Sequence, residues 1–196
     1  MVSGVLLCVE MTQKIPLTKG YAALVDDDKY EWLMQWKWHA VVRPVNVNAA
    51  RRVGYRGKYI YMHKQLLPCD PAFEIDHKDR NGLNNQMDNL RIATSSQNSI
   101  NFPRINKTGY RGVAKNHNRW MAMIKTNHLN IYLGTFDSAQ EAAKAYDEAA
   151  RNLHGEFAWL NFPALDAAQT EGDIEVLKRV SGMLDIERAR LKVQVR

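Results

Sequence analysis

Two adjacent side chains, Asp76 and His77, and two downstream asparagines, Asn89 and Asn98, are of types that can cleave a phosphodiester bond together. The carboxylate of Asp76 and the amide carbonyl of Asn98 are hard oxygen ligands of the kind that Mg²⁺ takes. A neutral imidazole at His77 can accept the proton of an attacking water, and Asn89 can hold the intervening loop by side-chain to backbone hydrogen bonds. The same residue types also occur together in ordinary turns, and on composition alone that alternative stays open.

The segments around these residues predict a strand, a polar loop, a second strand and a helix. Residues 74–77 end a short strand, and residues 78–87 are rich in Asp, Asn and Gly, as loops are. Alternation resumes at 88–93, and a capping box formed by Thr94 and Gln97 opens the helix. An antiparallel pair with a helix packed across it can bring the metal-binding and proton-accepting side chains together.

The composition is that of a globular chain with an uneven positive charge. The 196 residues include 27 Lys and Arg against 21 Asp and Glu, a net charge of +6. Residues 31–72 carry +5, and residues 101–136 carry +6 with no carboxylate side chain, a distribution typical of nucleic-acid binding.

Composition also excludes several classes of protein. Cys8 and Cys69 offer no CxxC pair, so neither a zinc knuckle nor a disulfide framework is encoded. No apolar run reaches the roughly 20 residues of a membrane span. We therefore expect no membrane partner and a location in reducing cytoplasm.

Residues 1–62 predict a β-rich region ahead of the candidate site. Two β-rich runs are expected at about 36–43 and 48–62, the second with a hairpin turn at 54–57. The tryptophans and tyrosines of this region are expected to form a small core. The cations interleaved with them form either a solvated or a DNA-facing edge. These cations are Arg51, Arg52, Arg56 and Lys58.

Residues 110–163 predict three short strands followed by one helix. The strands are expected at about 110–115, 119–126 and 129–134. The helix is expected over 138–154, where Ser138 and Glu141 form a capping box at its start. Its small apolar face can lie close against a three-stranded sheet.

Parity assigns the two faces of this sheet. On the middle strand Trp120, Ala122 and Ile124 share the face that meets the helix, so Trp120 is expected in the core. The opposite face carries side chains suited to phosphates and base edges. These are Arg119 and Lys125 of the middle strand, Arg111 of the first strand, and Asn130 and Tyr132 of the third. A cationic face turned to solvent is the alternative.

The segment that contains the candidate site resembles the HNH endonucleases of the phage and mobile-element homing type. The resemblance is carried by Met62-His63-Lys64, Glu74-Ile75-Asp76-His77, Gly82-Leu83-Asn84-Asn85, Asp88-Asn89-Leu90-Arg91 and Ser96-Gln97-Asn98. It implies a ββα-metal fold in which His77 is the general base and Asn89 stabilises the loop. It also implies that Asp76 and Asn98 bind one Mg²⁺ or Mn²⁺ ion. His63 stands in a position typical of the family, where it either contacts phosphate or is structural.

The basic segment that follows resembles the AP2 DNA-binding domain along that domain's full length. The resemblance is carried by Gly109-Tyr110-Arg111-Gly112-Val113, Trp120, Tyr132-Leu133-Gly134-Thr135-Phe136, Glu141-Ala142-Ala143-Lys144-Ala145-Tyr146-Asp147 and Leu160-Asn161-Phe162-Pro163. That domain lays its sheet into the major groove with a helix behind it, which implies double-stranded DNA as the partner. Ala114, Asn116 and Met123 depart from the residues usual in plant members, so the target sequence of those factors does not carry over.

Together these features predict an α+β protein. A ββα-metal (HNH) nuclease module is preceded by a β-rich N-terminal region and followed by an AP2-like three-stranded antiparallel sheet packed on one helix, then by a C-terminal helix at about 171–191. The expected boundaries are 1–62 for the N-terminal region, 63–101 for the catalytic module, 102–109 for a linker, 110–163 for the AP2-like domain and 164–196 for the helical extension.

The expected function is metal-dependent hydrolysis of DNA by a site-directed homing endonuclease without a small-molecule cofactor. Two alternatives stay open. One is an AP2-type DNA-binding regulator without catalysis, and the other is a loosely specific nuclease that processes phage DNA.

Overall fold

The computed structural model describes residues 12–54, 57–102, 106–126 and 129–163, together with the isolated Gly182. The chain divides into two compact units, Met1–Asn98 and Ser99–Arg196. Arg56 and, apart from Gly182, the predicted C-terminal helix lie outside the described residues. Within the described part, no helix is long and apolar enough to cross a membrane.

The first unit is built from short strands and short helices. In chain order they are β1 (Thr12–Pro16), β2 (Ala22–Asp26), α1 (Asp27–Leu33), β3 (His39–Val42), β4 (Val47–Val53), β5 (Lys58–Tyr61), α2 (Met62–Leu66), β6 (Glu74–His77), β7 (Leu90–Ala93) and the start of α3 (Ser95–Asn101). The strands form an antiparallel pair β1–β2, an antiparallel sheet β3-β4-β5 and an antiparallel pair β6–β7.

One apolar cluster holds this unit together. Its buried members include Ile15, Val25, Leu33, Trp38 and Met62. Trp38 is 3% exposed and donates its indole N–H to the carbonyl of Leu33 at 2.8 Å, so the ring is buried without an unsatisfied donor. The predicted aromatic core is therefore confirmed for Trp38. Trp32, in contrast, is 40% exposed and packs edge to face with Trp36 at 5.2 Å between ring centroids.

The loop between β6 and β7 is fastened to the edge of β2. Leu24 donates its N–H to the carbonyl of Leu83 and accepts from the N–H of Asn85, both at 2.8 Å. The N–H of Met87 donates to the carboxylate of Asp26 at 2.8 Å. These bonds join residues about sixty positions apart in the chain, and they give the polar loop a defined course.

The second unit has one sheet and one helix. Its elements are β8 (Val113–Asn116), β9 (Arg119–Thr126), β10 (Leu129–Phe136) and α4 (Ala139–His154). The strands are antiparallel in the order β10-β9-β8, and α4 packs against them. Buried alanines of α4, including Ala142, Ala145 and Ala149, meet Ile124 and Leu133 of the sheet. The capping box of Ser138 and Glu141 is present as predicted.

The first strand of this sheet begins later than predicted, at Val113 instead of residue 110. Gly109 and Gly112 both have positive φ, +78° and +73°, so the chain turns here before it extends. A Cβ on Gly112 would lie 1.9 Å from the Tyr146 ring, which leaves room for glycine alone. The turn brings the start of β8 close against α4.

Candidate active site and nucleic-acid interface

The predicted order of strand, loop, strand and helix is present in β6, β7 and α3. In the antiparallel register Asp76 lies opposite Arg91, and His77 lies opposite Leu90. The predicted capping box also forms, since Gln97 N–H donates to the Thr94 hydroxyl and the Gln97 side chain accepts from the Thr94 N–H at 2.8 Å. The strands β6 and β7 and the helix α3 therefore follow one another within a short stretch of the chain.

Asp76 is a buried carboxylate held by an arginine. It is 5% exposed, and its Oδ2 accepts from Nε and Nη2 of Arg91 at 2.8 and 2.7 Å. Charge-assisted bonds of this kind fix the orientation of a carboxylate as well as balancing its charge. A carboxylate has about four lone-pair sites, so a group held by Arg91 keeps the capacity to bind a cation.

Asn98 reaches the same hairpin from α3. Its side-chain N–H donates to Oε2 of Glu74, and its own backbone N–H bonds the carbonyl of Thr94 at 3.0 Å. Glu74 and Asp76 share one face of β6 because they are two positions apart. Asn98 therefore packs on the face of β6 that carries the Asp76 side chain.

The donor set on this face fits a hard divalent cation. Mg²⁺ is commonly held by one or two carboxylates, with water and substrate phosphates completing its shell. Asp76 supplies a carboxylate and Asn98 an amide oxygen. No group of three or more His, Cys, Asp or Glu side chains suited to a metal occurs among the described residues.

His77 is a buried imidazole at the end of β6. It is 7% exposed, and burial lowers its pKa below the ordinary value of 6.5. A hydrogen bond with the Asn85 side chain and the negative charges of Asp79 and Asp76 act against that shift in the pKa. The neutral imidazole is thus the resting form near pH 7, and the neighbouring carboxylates favour the cation that forms when it takes a proton.

His63 packs beside His77. The two rings meet edge to face with centroids 5.0 Å apart, and the other side of His63 stacks on Tyr61 at 5.5 Å. Burial, then the charges of His77 and Lys64, lower the pKa of His63 from 6.5 to about 3. A neutral ring in this setting favours the structural alternative for His63 over a charged contact with phosphate.

Asn89 ties the loop as its residue type predicts. Its Nδ2 donates to the carbonyl of Asn84 at 2.8 Å, and its Oδ1 accepts from the N–H of Asp79 at 3.0 Å. The Asn89 carbonyl also accepts from the N–H of Lys78 at 2.9 Å. Because Lys78 directly follows His77, these bonds fix the chain on the C-terminal side of the imidazole.

The cations of the N-terminal sheet do not form one row. Arg51 and Arg52 are adjacent on β4, so their side chains leave opposite faces of the sheet. Arg51 donates to Gln65 Oε1 at 2.7 Å and lies over Trp36 at 4.6 Å. Arg52 lies over the Tyr59 ring at 5.7 Å. Lys58, at the start of β5, is exposed.

The sheet of the second unit has the predicted parity on its middle strand. Ala122 and Ile124 are buried, and Trp120 is half-buried against the same core. Lys125 is exposed on the opposite face, where it pairs with Asn130 of β10. Tyr132 is 52% exposed two residues along that strand. Arg119 is also exposed, and it forms an ion pair with Asp137 at 2.9 Å.

Arg111 was expected on the first strand, and that placement is wrong. It lies two residues before β8, at the turn made by the two glycines of positive φ. Its Nη1 donates to the carbonyl of Phe102 at 2.9 Å, and its guanidinium lies over Trp159 at 5.6 Å. Its contact with DNA stays a prediction.

Two segments of the chain match known families. The family model for HNH endonucleases matches residues 68–100, and that for AP2 domains matches residues 108–156. An HNH endonuclease of Acanthamoeba polyphaga mimivirus is 32% identical over 143 residues, which cover 71% of this chain and 74% of the viral protein. The chain belongs to the HNH endonuclease family. Protein 3.8 of Escherichia phage T7 is 33% identical over 95 residues, covering 46% of this HNH chain and 78% of the phage protein.

The AP2 domain of this HNH endonuclease has relatives in plants. Dehydration-responsive element-binding protein 2A of Arabidopsis thaliana is 43% identical over 70 residues, which cover 34% of this chain and 21% of the plant protein. The similarity is thus confined to about a fifth of that transcription factor. The presence of both an HNH and an AP2 domain indicates a nuclease that binds DNA, and HNH nucleases are generally dependent on a divalent metal.

Three side chains of the HNH site were given no role on sequence grounds. Arg91 binds Asp76, Glu74 accepts from Asn98, and the Asn85 side chain raises the pKa of His77 against the effect of burial. The role of Glu74 could have been suspected from strand alternation, because residues two positions apart, such as Glu74 and Asp76, share one face of a strand. The roles of Arg91 and Asn85 depend on register and on the course of the loop, which no local pattern specifies.

Proposed function

We propose that this HNH protein is a site-directed DNA endonuclease of the homing type, with His77 as general base and one Mg²⁺ ion held by Asp76 and Asn98. The observation that carries the proposal is the buried His77, which follows the Arg91-held carboxylate of Asp76 directly in β6. His77 is the last residue of β6, where strand alternation ends, and the charge of Asp76 acts on its imidazole. A proton acceptor and a cation ligand within electrostatic reach of each other can act on one phosphodiester group.

In this mechanism His77 takes the proton of a water that attacks the phosphorus atom. The imidazole is ready for that step because burial lowers its pKa and keeps it neutral. The imidazolium that results lies near the charges of Asp79 and Asp76. A divalent ion held by Asp76 and Asn98 would supply positive charge to the phosphate. The P–O3′ bond breaks as the water oxygen bonds to phosphorus, and the 3′-oxygen takes a proton from solvent, which leaves 5′-phosphate and 3′-hydroxyl ends.

Asn89 is a positioning residue in this proposal. Its hydrogen bonds to Lys78, Asp79 and Asn84 hold the loop where it leaves His77. A base that must sit within hydrogen-bond reach of a water gains from such an anchor, because small misplacements cost large factors in rate.

The AP2 domain supplies affinity and position along the duplex in this proposal. The exposed sheet face that carries Arg119, Lys125, Asn130 and Tyr132 contacts DNA, with Arg111 at its edge. In the N-terminal region, Arg51, Arg52, Arg56 and Lys58 contact phosphates. We assign catalysis to residues 63–101 and DNA binding to 110–163, joined by the segment 102–109.

The proposal is tested with supercoiled plasmid. Protein is incubated with the plasmid and Mg²⁺, or Mn²⁺, with and without EDTA, and the ends are sequenced and tested for ligation. The expected result is metal-dependent cutting with ligatable 5′-phosphate ends at a restricted set of sites. Binding without cutting supports an AP2-type regulator instead. Cutting at unrelated sequences removes the homing assignment and favours a loosely specific nuclease.

A further inference from the structure

The side-chain amide of Asn98 has two chemically different ends. Its oxygen accepts hydrogen bonds and binds cations, whereas its nitrogen only donates. The helix α3 fixes the position of the Asn98 backbone through the bond to Thr94 and the capping box. It does not fix which end of the amide faces the strand, because rotation about that terminal bond is broad and roughly two-fold.

Glu74 removes that ambiguity. Its Oε2 accepts a hydrogen bond from Nδ2 of Asn98. An ionised carboxylate can only accept, so the amide must turn its NH₂ group towards Glu74. The amide oxygen then points away from Glu74. Asp76 lies two residues further along the same face of β6.

We infer that Glu74 is a positioning residue that makes Asn98 present oxygen, and not nitrogen, to the divalent ion. This inference rests on the proposed metal site of Asp76 and Asn98. A hard cation gains nothing from an amide N–H, so an Asn98 side chain turned the other way would be a repelling group in place of a ligand. Outer partners that orient ligands in this way typically account for 10- to 100-fold in metal affinity.

Two substitutions distinguish a Glu74 that orients Asn98 from a Glu74 that binds the ion itself. In Glu74→Gln the amide oxygen of glutamine can still accept from Nδ2 of Asn98, so the native orientation stays available although the charge is lost. In Glu74→Ala no acceptor remains. If Glu74 positions Asn98, Glu74→Gln is expected to bind Mn²⁺ within about 3-fold of the wild-type affinity. Glu74→Ala is expected to bind Mn²⁺ about 10- to 100-fold more weakly. A direct ligand predicts a similar loss for both.

The Asn98→Asp variant provides a second test of the role of Glu74. Asn98→Asp offers an oxygen at both ends of the side chain, so orientation no longer matters. In that background Glu74→Ala removes no orienting bond, only the repulsion between two carboxylates, so Mn²⁺ affinity is expected to stay within about 3-fold of Asn98→Asp or to rise. If Glu74 binds the ion itself, its loss costs as much in the Asn98→Asp background as in the wild type.

The experiment is Mn²⁺ titration of the full chain, followed by electron paramagnetic resonance of the free ion. Glu31→Ala, an exposed glutamate of α1, is the matched control and is expected to bind as wild type does. Thermal unfolding without metal shows that each variant is folded. Equal losses for Gln and Ala, or no loss for Ala, overturn the inference. Wild-type protein that binds no Mn²⁺ overturns the proposed metal site itself, and the inference with it.

Discussion

At the residue scale, the negative charge of Asp76 is balanced inside the protein and not by water. The Asp76 and Arg91 side chains are 6% and 10% exposed, and two N–H groups of Arg91 bind one carboxylate oxygen. Removing one partner of a buried pair leaves the other charged and desolvated, which is costly. The same pair holds the proposed metal ligand, so its loss affects both stability and the site.

Arg91→Ala is expected to lower the free energy of unfolding by about 3–5 kcal/mol, because the carboxylate of Asp76 loses its counter-charge. Arg91→Lys keeps a cation but loses the planar fork, and we expect a smaller loss. Urea unfolding at pH 7 measures both. Equal stability of Arg91→Ala and wild type would show that the pair contributes nothing.

His63 makes the protein sensitive to acid. Folding lowers the pKa of His63 from 6.5 to about 3, through burial and the facing charges of His77 and Lys64, so the native state favours the neutral ring. The stability that follows is fully present above pH 6.5 and is lost as the pH falls towards 3.

His63→Phe keeps an aromatic ring between Tyr61 and His77 but cannot take a proton. We expect its urea midpoint to fall less than that of wild type between pH 7 and pH 4. Some loss remains in the variant, since burial lowers the pKa of His77 in the same direction. If the urea midpoints of wild type and His63→Phe fall equally between pH 7 and pH 4, titration of His63 is not a source of acid sensitivity.

At the element scale, the loop between β6 and β7 is held by its neighbours more than by its own turns. Besides the bonds to β2, the N–H of Gly82 donates to the Asn46 side chain at 3.2 Å. A Cβ at Gly82 would lie 2.4 Å from Asn48 Oδ1 and 2.6 Å from the carbonyl of Val47. The second contact is backbone, which cannot rotate away.

Gly82→Ala is therefore expected to push the loop off the start of β4. Hydrogen exchange should become faster at the amides of Leu24 and Asn85, which pair across the loop. Gly155→Ala in the second unit is the control. No atom lies within 4 Å of its added Cβ, and its positive φ of +54° strains the chain only at the end of α4, so the two amides should keep their rates. Unchanged exchange in Gly82→Ala would mean that the loop does not depend on this contact.

Local signals predicted the elements of the site, but long-range contacts decided how they are held. The capping boxes at Thr94 and Ser138 and the alternation around β6 and β9 are encoded within a few residues, and all are present. The pairing of Leu24 with the loop joins distant segments and leaves no local pattern. Arg111 was placed on a strand because the turn at Gly109 and Gly112 was not recognised.

At the scale of the whole molecule, positive charge is concentrated in two segments. Residues 101–136 carry +6 without a carboxylate, and residues 31–72 carry +5. Cations that contact phosphates displace counterions. The logarithm of the affinity for DNA therefore falls linearly with the logarithm of the salt concentration, with a slope proportional to the number of these contacts. That slope therefore tests the proposal that the AP2 domain binds DNA while the HNH domain carries out catalysis.

Lys125→Ala is expected to weaken duplex binding and to reduce the slope of log affinity against log salt by about one. Lys144→Ala, on α4 behind the sheet, should leave the slope unchanged. Fluorescence anisotropy over a salt series measures both. If the two variants behave alike, the exposed face of β9 is not where DNA binds.

The role of His77 as general base is tested by the plasmid cleavage rate of His77→Ala beside wild type, with Mg²⁺ and protein in excess over DNA. We expect the variant to bind the plasmid as wild type does but to cleave it about 10²- to 10⁴-fold more slowly, the usual contribution of a general base. Cleavage by His77→Ala at the wild-type rate would contradict that role.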